Sequence, residues 1–327
     1  MVFYTLYAAV FLTGLLASYL GFRLCNNFAI RIGLIDDPGH RKIHNTPIPL
    51  SGGLTVFFGI ALPVLIGAGA VLIMPEHWEF VRQLHYGVAK RAVPLATIVV
   101  AGLGMLLVGL IDDRFELKPS YKFAGQLLFA FLLASSGVRI TLFVHNVLFS
   151  YAVTIFWVLA LINAFNFMDN MNGLCSGLAL IGALGFGILA AAFGQYLVAL
   201  FVFLSAGALA GFLPRNFPKA QAFLGDSGSH FLGFLLAVLA ILPHYFSSKH
   251  PKYLAVLVPL FILAVPLLDM VYVVLLRWRL GQPFYIGDNN HLSHRLVRKG
   301  LSKSRAVAYI WLMAVAIACL SAIPFLV

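Results

Sequence analysis

The sequence predicts an all-α protein that crosses a membrane many times. Its 327 residues are 61% hydrophobic and 10% charged, with a mean hydropathy of +0.96, which excludes a soluble domain with a polar exterior. The apolar residues form long continuous runs and not short segments of alternating polarity, so spanning helices are predicted and barrel strands are not. No repeat, low-complexity segment or linker divides the chain, and we expect one transmembrane domain over residues 1–327.

A spanning helix needs about 20 mostly apolar residues, and ten such stretches can be placed. They cover residues 2–22, 50–74, 93–111, 119–137, 148–165, 175–193, 195–213, 230–247, 254–276 and 305–326. The first stretch has no basic residue before it and is followed by Arg23 and Arg31. It therefore predicts a retained span and not a cleaved signal peptide.

The distribution of charge predicts the orientation. Cytoplasmic loops carry an excess of Lys and Arg, and one set of alternate loops holds 16 of the 22 basic residues: 23–49, 112–122, 166–174, 214–229 and 277–305. Nine of the eleven acidic residues lie in or beside the same loops, the exceptions being Glu76 and Glu79. We expect both termini outside and the chemistry on the cytoplasmic side.

The net charge of +11 does not indicate nucleic-acid binding, because the basic residues lie at membrane boundaries without a recognisable nucleic-acid motif. Anionic lipid headgroups or phosphorylated substrates explain the charge better. Cys25, Cys175 and Cys319 have no paired spacing, so they predict neither disulfides nor a cysteine metal site.

Two adjacent carboxylates, Asp112 and Asp113, end the third apolar stretch. Adjacent carboxylates repel one another and are costly near a membrane unless they share a cation or a proton. The pair is therefore a candidate general base or metal ligand. A solvated helix end flanked by Arg114 and Lys118 is the alternative.

The fifth apolar stretch ends in a run of amides and one carboxylate. Asn163, Asn166, Asp169 and Asn172 recur at intervals of three, which would place neighbouring members near one face of a helix. Lipid offers such groups no hydrogen-bond partner, and their oxygens suit Mg²⁺. A metal site is predicted, with a hydrogen-bond cluster between helices as the alternative.

The fourth loop contains Asn216 and then the segment from Gly225 to Gly228, in which glycines flank Asp226 and Ser227. Glycine lets the backbone turn sharply and approach a ligand closely. The first amides of the following helix would then bind phosphate. An ordinary glycine turn with a helix cap is the alternative.

The fifth loop is long and basic. His291 and His294 are three residues apart beside Arg295, a pattern suited to a diphosphate clamp or to acid and base chemistry. A solvated basic helix is the alternative, and no third nitrogen ligand indicates zinc. Asp269 lies inside the ninth stretch, where a carboxylate must be paired, hydrated or protonated. It either pairs with a basic group of the site or stabilises the bundle.

Together these segments resemble the polyprenyl-phosphate N-acetylhexosamine-1-phosphate transferases. The matching patterns are R-K-x-H-x-x-P-x-P-x-x-G-G from Arg41 to Gly53, the Asp-Asp pair, N-A-x-N-x-x-D, F-L-G-D-S-G-S and H-x-x-H-R. Their order and spacing agree over roughly residues 30–305. That family transfers a sugar 1-phosphate from a UDP-sugar to undecaprenyl phosphate with Mg²⁺ and releases UMP. The chain looks more like the members that use UDP-N-acetylglucosamine (UDP-GlcNAc) and start cell-envelope polysaccharides.

The resemblance implies a role for each matched residue. Asp226 and Asp169 would ligate Mg²⁺, for which Mn²⁺ is the other candidate. Asp112 would deprotonate or orient the lipid phosphate with support from Asp113, and His291 would take part in catalysis. Phe223 would stack on uracil. The full set of implied substrate-binding residues is Arg41, Lys42, His44, Lys122, Asn166, Asp169, Asn172, Asn216, Phe223, His294 and Arg295.

The resemblance also implies partners and a location. The implied enzyme is a multi-pass protein of the bacterial cytoplasmic membrane whose cleft faces the cytoplasm. It would contact a UDP-sugar, undecaprenyl phosphate and membrane lipids, and not nucleic acid. A homodimer is compatible with the sequence.

Three positions depart from the family pattern. Asn172 stands where the family commonly has a carboxylate, in D-G-x-D-G, and Ser293 stands where it often has a histidine. Glu116 replaces a lysine often found in the enzymes that use the muramoyl-pentapeptide nucleotide, which argues against that donor. Two alternatives remain: the same chemistry with another UDP-sugar, and a transporter of a lipid-linked sugar, whose polar groups would lie nearer the bilayer midplane.

Overall fold

The computed structural model describes residues 2–36, 47–74, 79–246, 253–283 and 288–322. Over these ranges the protein is almost entirely helical, which confirms the predicted all-α class. The helices are α1 (Val2–Arg31), α2 (Gly52–Ile73), α3 (Glu79–Lys90), α4 (Ala92–Phe115), α5 (Pro119–Ser135), α6 (Val147–Met168), α7 (Leu174–Ala192), α8 (Tyr196–Asn216), α9 (Gly225–Ile241), α10 (Val258–Ile262), α11 (Ala264–Arg279), α12 (Leu292–Arg298) and α13 (Lys303–Cys319). Short 3₁₀ segments cover Tyr253–Leu257 and Leu320–Ala322. Strands β1 (Ile35–Asp36) and β2 (Ile48–Pro49) pair antiparallel.

The protein is a polytopic membrane protein. In the described ranges, six helices are long and apolar enough to cross a membrane: α1, α2, α4, α6, α7 and α8. A bent pair of helices, Tyr253–Ile262 with Ala264–Arg279, would make a seventh span. The predicted stretches at α5, α9 and α13 are helical but have only 17 residues each, so the number of ten spans stays a prediction.

One detail of the sequence prediction is wrong, and two features of the helices were not predicted. The ninth stretch is not one continuous span, because the chain breaks before α11 and bends by 73°. Pro259 and Pro266 lie at the starts of the helices on either side of this break, and proline cannot continue a preceding helix. The first helix runs on to Arg31, well past residue 22, and the helix α3 was not predicted.

Helix α9 is the centre of the bundle. Its residues from Ser227 to Ala240 are all buried, and it packs against α2, α4 and α6. A helix that is apolar on every side is expected to be enclosed by its neighbours. The position of α9 therefore places Asp226, in its first turn, at the middle of one end of the bundle.

Helices α4 and α9 touch at Gly109. A Cβ atom there would overlap the backbone of Asp226 and Ser227, so the close approach requires glycine. The next turn of α4 carries Asp112 and Asp113, and the approach brings both carboxylates to the start of α9.

Candidate active site

A cavity of about 790 Å³ opens at this end of the bundle. It lies between the ends of α4, α6 and α9, the β-strand pair and the start of α13. Eight of the residues singled out in the sequence line it: Asp112, Asp113, Asn166, Asp169, Asn172, Asn216, Phe223 and Asp226. The predictions from separate loops thus converge on one space.

One lysine joins two of the carboxylates. The Lys122 Nζ atom lies 2.7 Å from Asp112 Oδ2 and 2.8 Å from Asp226 Oδ2. Asp112 is 7% exposed, and its other oxygen accepts the amide of Leu117 at 2.8 Å. The lysine ammonium, predicted to hold substrate, is therefore shared between two carboxylates of the chain itself.

The other oxygen of Asp226 is held by α6. Asn166 Nδ2 donates to Asp226 Oδ1 at 2.5 Å and lies 3.0 Å from Ser229 Oγ. With one oxygen on Asn166 and the other on Lys122, the Asp226 carboxylate has a fixed orientation. Such fixed placement is what a ligand or catalytic carboxylate requires.

Asp113 holds the start of α9. Its two oxygens accept the amides of Asp226 at 2.7 Å and Ser227 at 3.0 Å. The chain turns here through Gly225, whose φ is +74°, a conformation that favours glycine. The expectation that these first amides of α9 are open to phosphate is wrong for these two, because Asp113 occupies them.

Asp169 follows the last residue of α6 and faces the cavity. Burial and, to a smaller extent, the negative charges of Asp226 and Asp113 together raise the pKa of Asp169 to about 8, against a hydrogen bond from the Gly225 backbone N–H. This carboxyl group thus lies where added positive charge would be stabilising. The predicted single helical face holds only for Asn163 and Asn166, because α6 ends at Met168.

Asn216 joins two of the cavity loops. Its Oδ1 accepts the Gly173 amide and the Ser176 hydroxyl, both at 2.9 Å, and its Nδ2 donates to the Ala222 carbonyl at 3.0 Å. With 3% exposure, it fixes the loop after Asp169 against the loop before Asp226. Its substrate role stays a prediction, and these contacts give it a supporting one.

Asn172 and Phe223 lie on opposite loops of the cavity. Asn172 Nδ2 donates to the Pro218 carbonyl at 3.3 Å. Phe223 is half-buried, and its backbone pairs with Pro49 and Gly52 at 3.0 Å each. Both residues line the cavity, as a nucleotide-binding role would require.

The fifth loop forms a separate cluster. Asp269 accepts from His291 Nδ1 at 2.7 Å and from the Leu292 amide at 2.6 Å, and the Arg277 guanidinium lies 2.8 Å from Asp288. This answers the question left open for Asp269, since its partner is basic and belongs to the fifth loop. None of the residues named in this paragraph is among the described residues that line the cavity.

His294 and Arg295, predicted to bind substrate, also belong to this cluster. Burial lowers the pKa of His294, and the charges of His291, Arg298 and Lys303 lower it further. The Arg295 guanidinium lies 4.5 Å from the centre of the Tyr272 ring. Neither residue lines the cavity in the described part of the chain, and Arg41, Lys42 and His44 lie outside the described residues.

Sequence reasoning missed the wall that α13 contributes. Lys303, Ser304 and Val307 line the cavity, with Phe217 and Pro218 beside them. The tenth stretch was predicted from residue 305 and was interpreted only as a membrane span. A signal was present, because Lys303 and Arg305 occupy the first turn of α13 without any acidic residue, where the helix dipole disfavours cations.

The donor atoms fit a magnesium ion but do not form a complete cage. In the described ranges, no group of three or more His, Cys, Asp or Glu side chains is arranged to hold a metal. Mg²⁺ commonly uses one or two carboxylates together with water and substrate phosphates. Asp169 and Asp226 line the same cavity and would supply these carboxylates.

Comparison with known proteins identifies the family. The profile described as glycosyl transferase family 4 matches residues 95–244. A probable undecaprenyl-phosphate N-acetylglucosaminyl 1-phosphate transferase of Bacillus subtilis is 30% identical over 93% of this chain and 80% of its own length. A decaprenyl-phosphate N-acetylglucosaminephosphotransferase of Mycobacterium tuberculosis is 34% identical, over 97% and 83%. An undecaprenyl-phosphate alpha-N-acetylglucosaminyl 1-phosphate transferase of Yersinia pestis is 31% identical, over 90% and 78%. Because these relatives match nearly the whole chain, the chain belongs to glycosyl transferase family 4.

Proposed function

We propose that the protein transfers N-acetylglucosamine 1-phosphate from UDP-GlcNAc to undecaprenyl phosphate and releases UMP. The observation that carries this proposal is the group of Asp112, Lys122, Asp226 and Asp169 at the ends of membrane helices around one cavity. An acceptor phosphate anchored in lipid and a soluble diphosphate donor can meet only at such an interface. The names of the three relatives support the acceptor class and the transferred group.

The reaction is a single displacement at phosphorus. An oxygen of the lipid phosphate attacks the β-phosphorus of UDP-GlcNAc, and the bond from that phosphorus to the bridging oxygen breaks. UMP leaves with the bridging oxygen, and the product is a lipid diphosphate sugar. Catalysis of such transfers depends mainly on positioning and charge neutralisation.

The residues of the chain divide this work. Asp112, fixed by Lys122 and the Leu117 amide, would orient the acceptor phosphate or accept its proton. Asp113 positions Asp226 through the first amides of α9. Lys122 keeps two carboxylates together before substrate arrives, and its ammonium would shift toward a phosphate once one is bound. Direct attack by the lipid is preferred to a covalent aspartyl intermediate, because one displacement needs fewer special groups.

Magnesium is part of the proposal. Asp226 and Asp169 would hold it, and when bound it neutralises charge on the diphosphate. Manganese would fit the same oxygen donors.

The site is proposed to face the cytoplasm of a bacterial cell, in the inner membrane. The loops predicted from the sequence to be cytoplasmic carry 16 of the 22 basic residues, as cytoplasmic loops do. UDP-sugars are made in the cytoplasm, so this orientation gives the site access to its donor. The product would then start a cell-envelope polysaccharide.

The test is release of UMP by purified protein supplied with undecaprenyl phosphate, Mg²⁺ and a panel of UDP-sugars, with reactions lacking lipid as the control. Lipid-dependent UMP from UDP-GlcNAc supports both the reaction and the donor. Release of UMP from another UDP-sugar alone would support the proposed reaction but show that the donor is not UDP-GlcNAc. No release from any donor would contradict the proposal and favour a transporter.

A further inference from the structure

Acidic residues outnumber basic residues in the described wall of the cavity. Six carboxylates line it: Asp36, Asp112, Asp113, Glu116, Asp169 and Asp226. Lys303 is the one basic residue that lines it in the described ranges. A dianionic diphosphate entering this space would be repelled unless cations meet it.

Two other cations in the described part of the chain are already engaged. Lys122 is shared between Asp112 and Asp226, and Arg277 contacts Asp288. Lys303 is exposed, and within the described part of the chain no carboxylate lies within ion-pairing distance of it. Its ammonium is thus available to an anion in the cavity at little cost in lost contacts.

The position of Lys303 is fixed by local structure. Ser302 caps α13 by accepting the Arg305 amide at 3.4 Å, which makes Lys303 the first residue of the helix. A cation there is disfavoured by the helix dipole, so its presence costs stability. A residue that is unfavourable for its local secondary structure is expected at functional positions.

Helix α13, which Lys303 begins, packs on the loop that contacts Asn172. Phe217, which packs on Trp311 of α13 with ring centres 4.8 Å apart, connects the two walls, and Asn172 donates to the adjacent Pro218 carbonyl. Since position 172 is an amide, it adds no negative charge next to this wall. The positive charge of Lys303 is left available.

We propose that Lys303 binds a phosphate of the nucleotide donor, and that α13 thereby forms part of the donor site. This inference rests on the proposed function. Lys303 is expected to contribute affinity for the donor and not for the lipid acceptor, because it lines the cavity together with Phe217 and Pro218, and Pro218 contacts Asn172 of the proposed nucleotide site.

The experiment compares Lys303→Ala, Lys303→Arg and the control Lys299→Ala, an exposed lysine of the same loop that does not line the cavity. Formation of radiolabelled lipid product is measured against the concentration of UDP-GlcNAc and of undecaprenyl phosphate. Loss of one charge-assisted contact should raise KM for UDP-GlcNAc about tenfold in Lys303→Ala, with kcat and the KM for lipid changed less than about twofold. Lys303→Arg should stay close to wild type, as should Lys299→Ala.

Inhibition by UDP, UMP and uridine separates phosphate binding from a general disturbance. In Lys303→Ala, inhibition by UDP and by UMP should be weaker than in wild type, and inhibition by uridine should be unchanged. Three results would each overturn the inference: an unchanged KM for UDP-GlcNAc, inhibition by uridine that weakens as much as inhibition by UDP, or a rise in KM for undecaprenyl phosphate alone. If the wild type has no transferase activity, calorimetric titration with UDP still decides: weaker UDP binding in Lys303→Ala than in wild type supports the phosphate site, and equal or absent binding contradicts it.

Discussion

Two charged clusters in the described part of the chain are built differently. In the fifth-loop cluster each carboxylate has its own basic partner, Asp269 with His291 and Asp288 with Arg277. In the cavity, Asp112 and Asp226 share one lysine, and Asp169 lies beside further carboxylates. A cluster in which each carboxylate has its own partner holds a loop in place, whereas one in which carboxylates share a partner is suited to bind cations and to do chemistry.

Asp288 shows how a partner acts on a carboxylate in the fifth-loop cluster. Burial alone would raise the pKa of Asp288, but the hydrogen bond from Arg277 and the Asn290 amide hold it below its usual value. At Asp169 burial and charge act in the same direction and raise the pKa to about 8. The same residue type is thus stabilised as an anion in one cluster and destabilised as an anion in the other.

The largest expected effect is from Asp226→Asn. The amide keeps the shape and one hydrogen-bonding oxygen, but removes the charge that would hold Mg²⁺ and the partner of Lys122. Turnover should fall by roughly 10³-fold or more, while the thermal unfolding temperature and the elution volume in detergent stay near wild type. Normal turnover at ordinary Mg²⁺ concentrations would show that Asp226 is not a metal ligand.

Asp269→Asn tests whether the fifth-loop cluster acts as a scaffold. It leaves an oxygen for the Leu292 amide but removes the negative partner of the buried His291. We expect the stability to fall by about 2 kcal/mol and kcat by about tenfold, with the KM for UDP-GlcNAc little changed. Thermal unfolding in detergent and steady-state kinetics measure both. A stable variant with activity as low as that of Asp226→Asn would mean that the fifth loop is catalytic and not a scaffold.

A smaller effect is expected from pH. The pKa of Asp169 is about 8 in the folded protein and 3.8 ordinarily, so between these values the folded chain holds a proton that the unfolded chain releases. Stability in metal-free buffer should therefore fall as pH rises from about 5 to about 8. The fall should be smaller in Asp169→Asn, and Mg²⁺ should reduce it in the wild type. Melting temperatures across this range, with and without EDTA, measure it. Equal pH dependence in both proteins would contradict the raised pKa.

The sequence was most informative where a residue type is costly in a membrane. Asp112, Asp169 and Asp226 could be selected because lipid excludes unpaired carboxylates, and the structure brings all three to one cavity. The bend before α11 and the wall at Lys303 were missed because hydropathy averages over a stretch and does not show where proline starts a new helix or which side of a helix end faces a cavity. The role of Asp113 as a cap for α9 was also not accessible, since Asp113 and Asp226 are far apart in the chain.

The smallest expected effect is from Asn172→Asp, which restores the carboxylate common in the family pattern. Asn172 lines a cavity that already has six acidic side chains among its described residues, so a seventh should weaken the binding of a dianionic donor. We expect the KM for UDP-GlcNAc to rise about threefold with kcat nearly unchanged, and Asn172→Ala serves as the uncharged control. The kinetics are measured with UDP-GlcNAc and with a second UDP-sugar. A many-fold gain in activity with the second sugar would instead show that Asn172 sets the choice of donor, because the added charge would then favour a nucleotide that the wild type excludes.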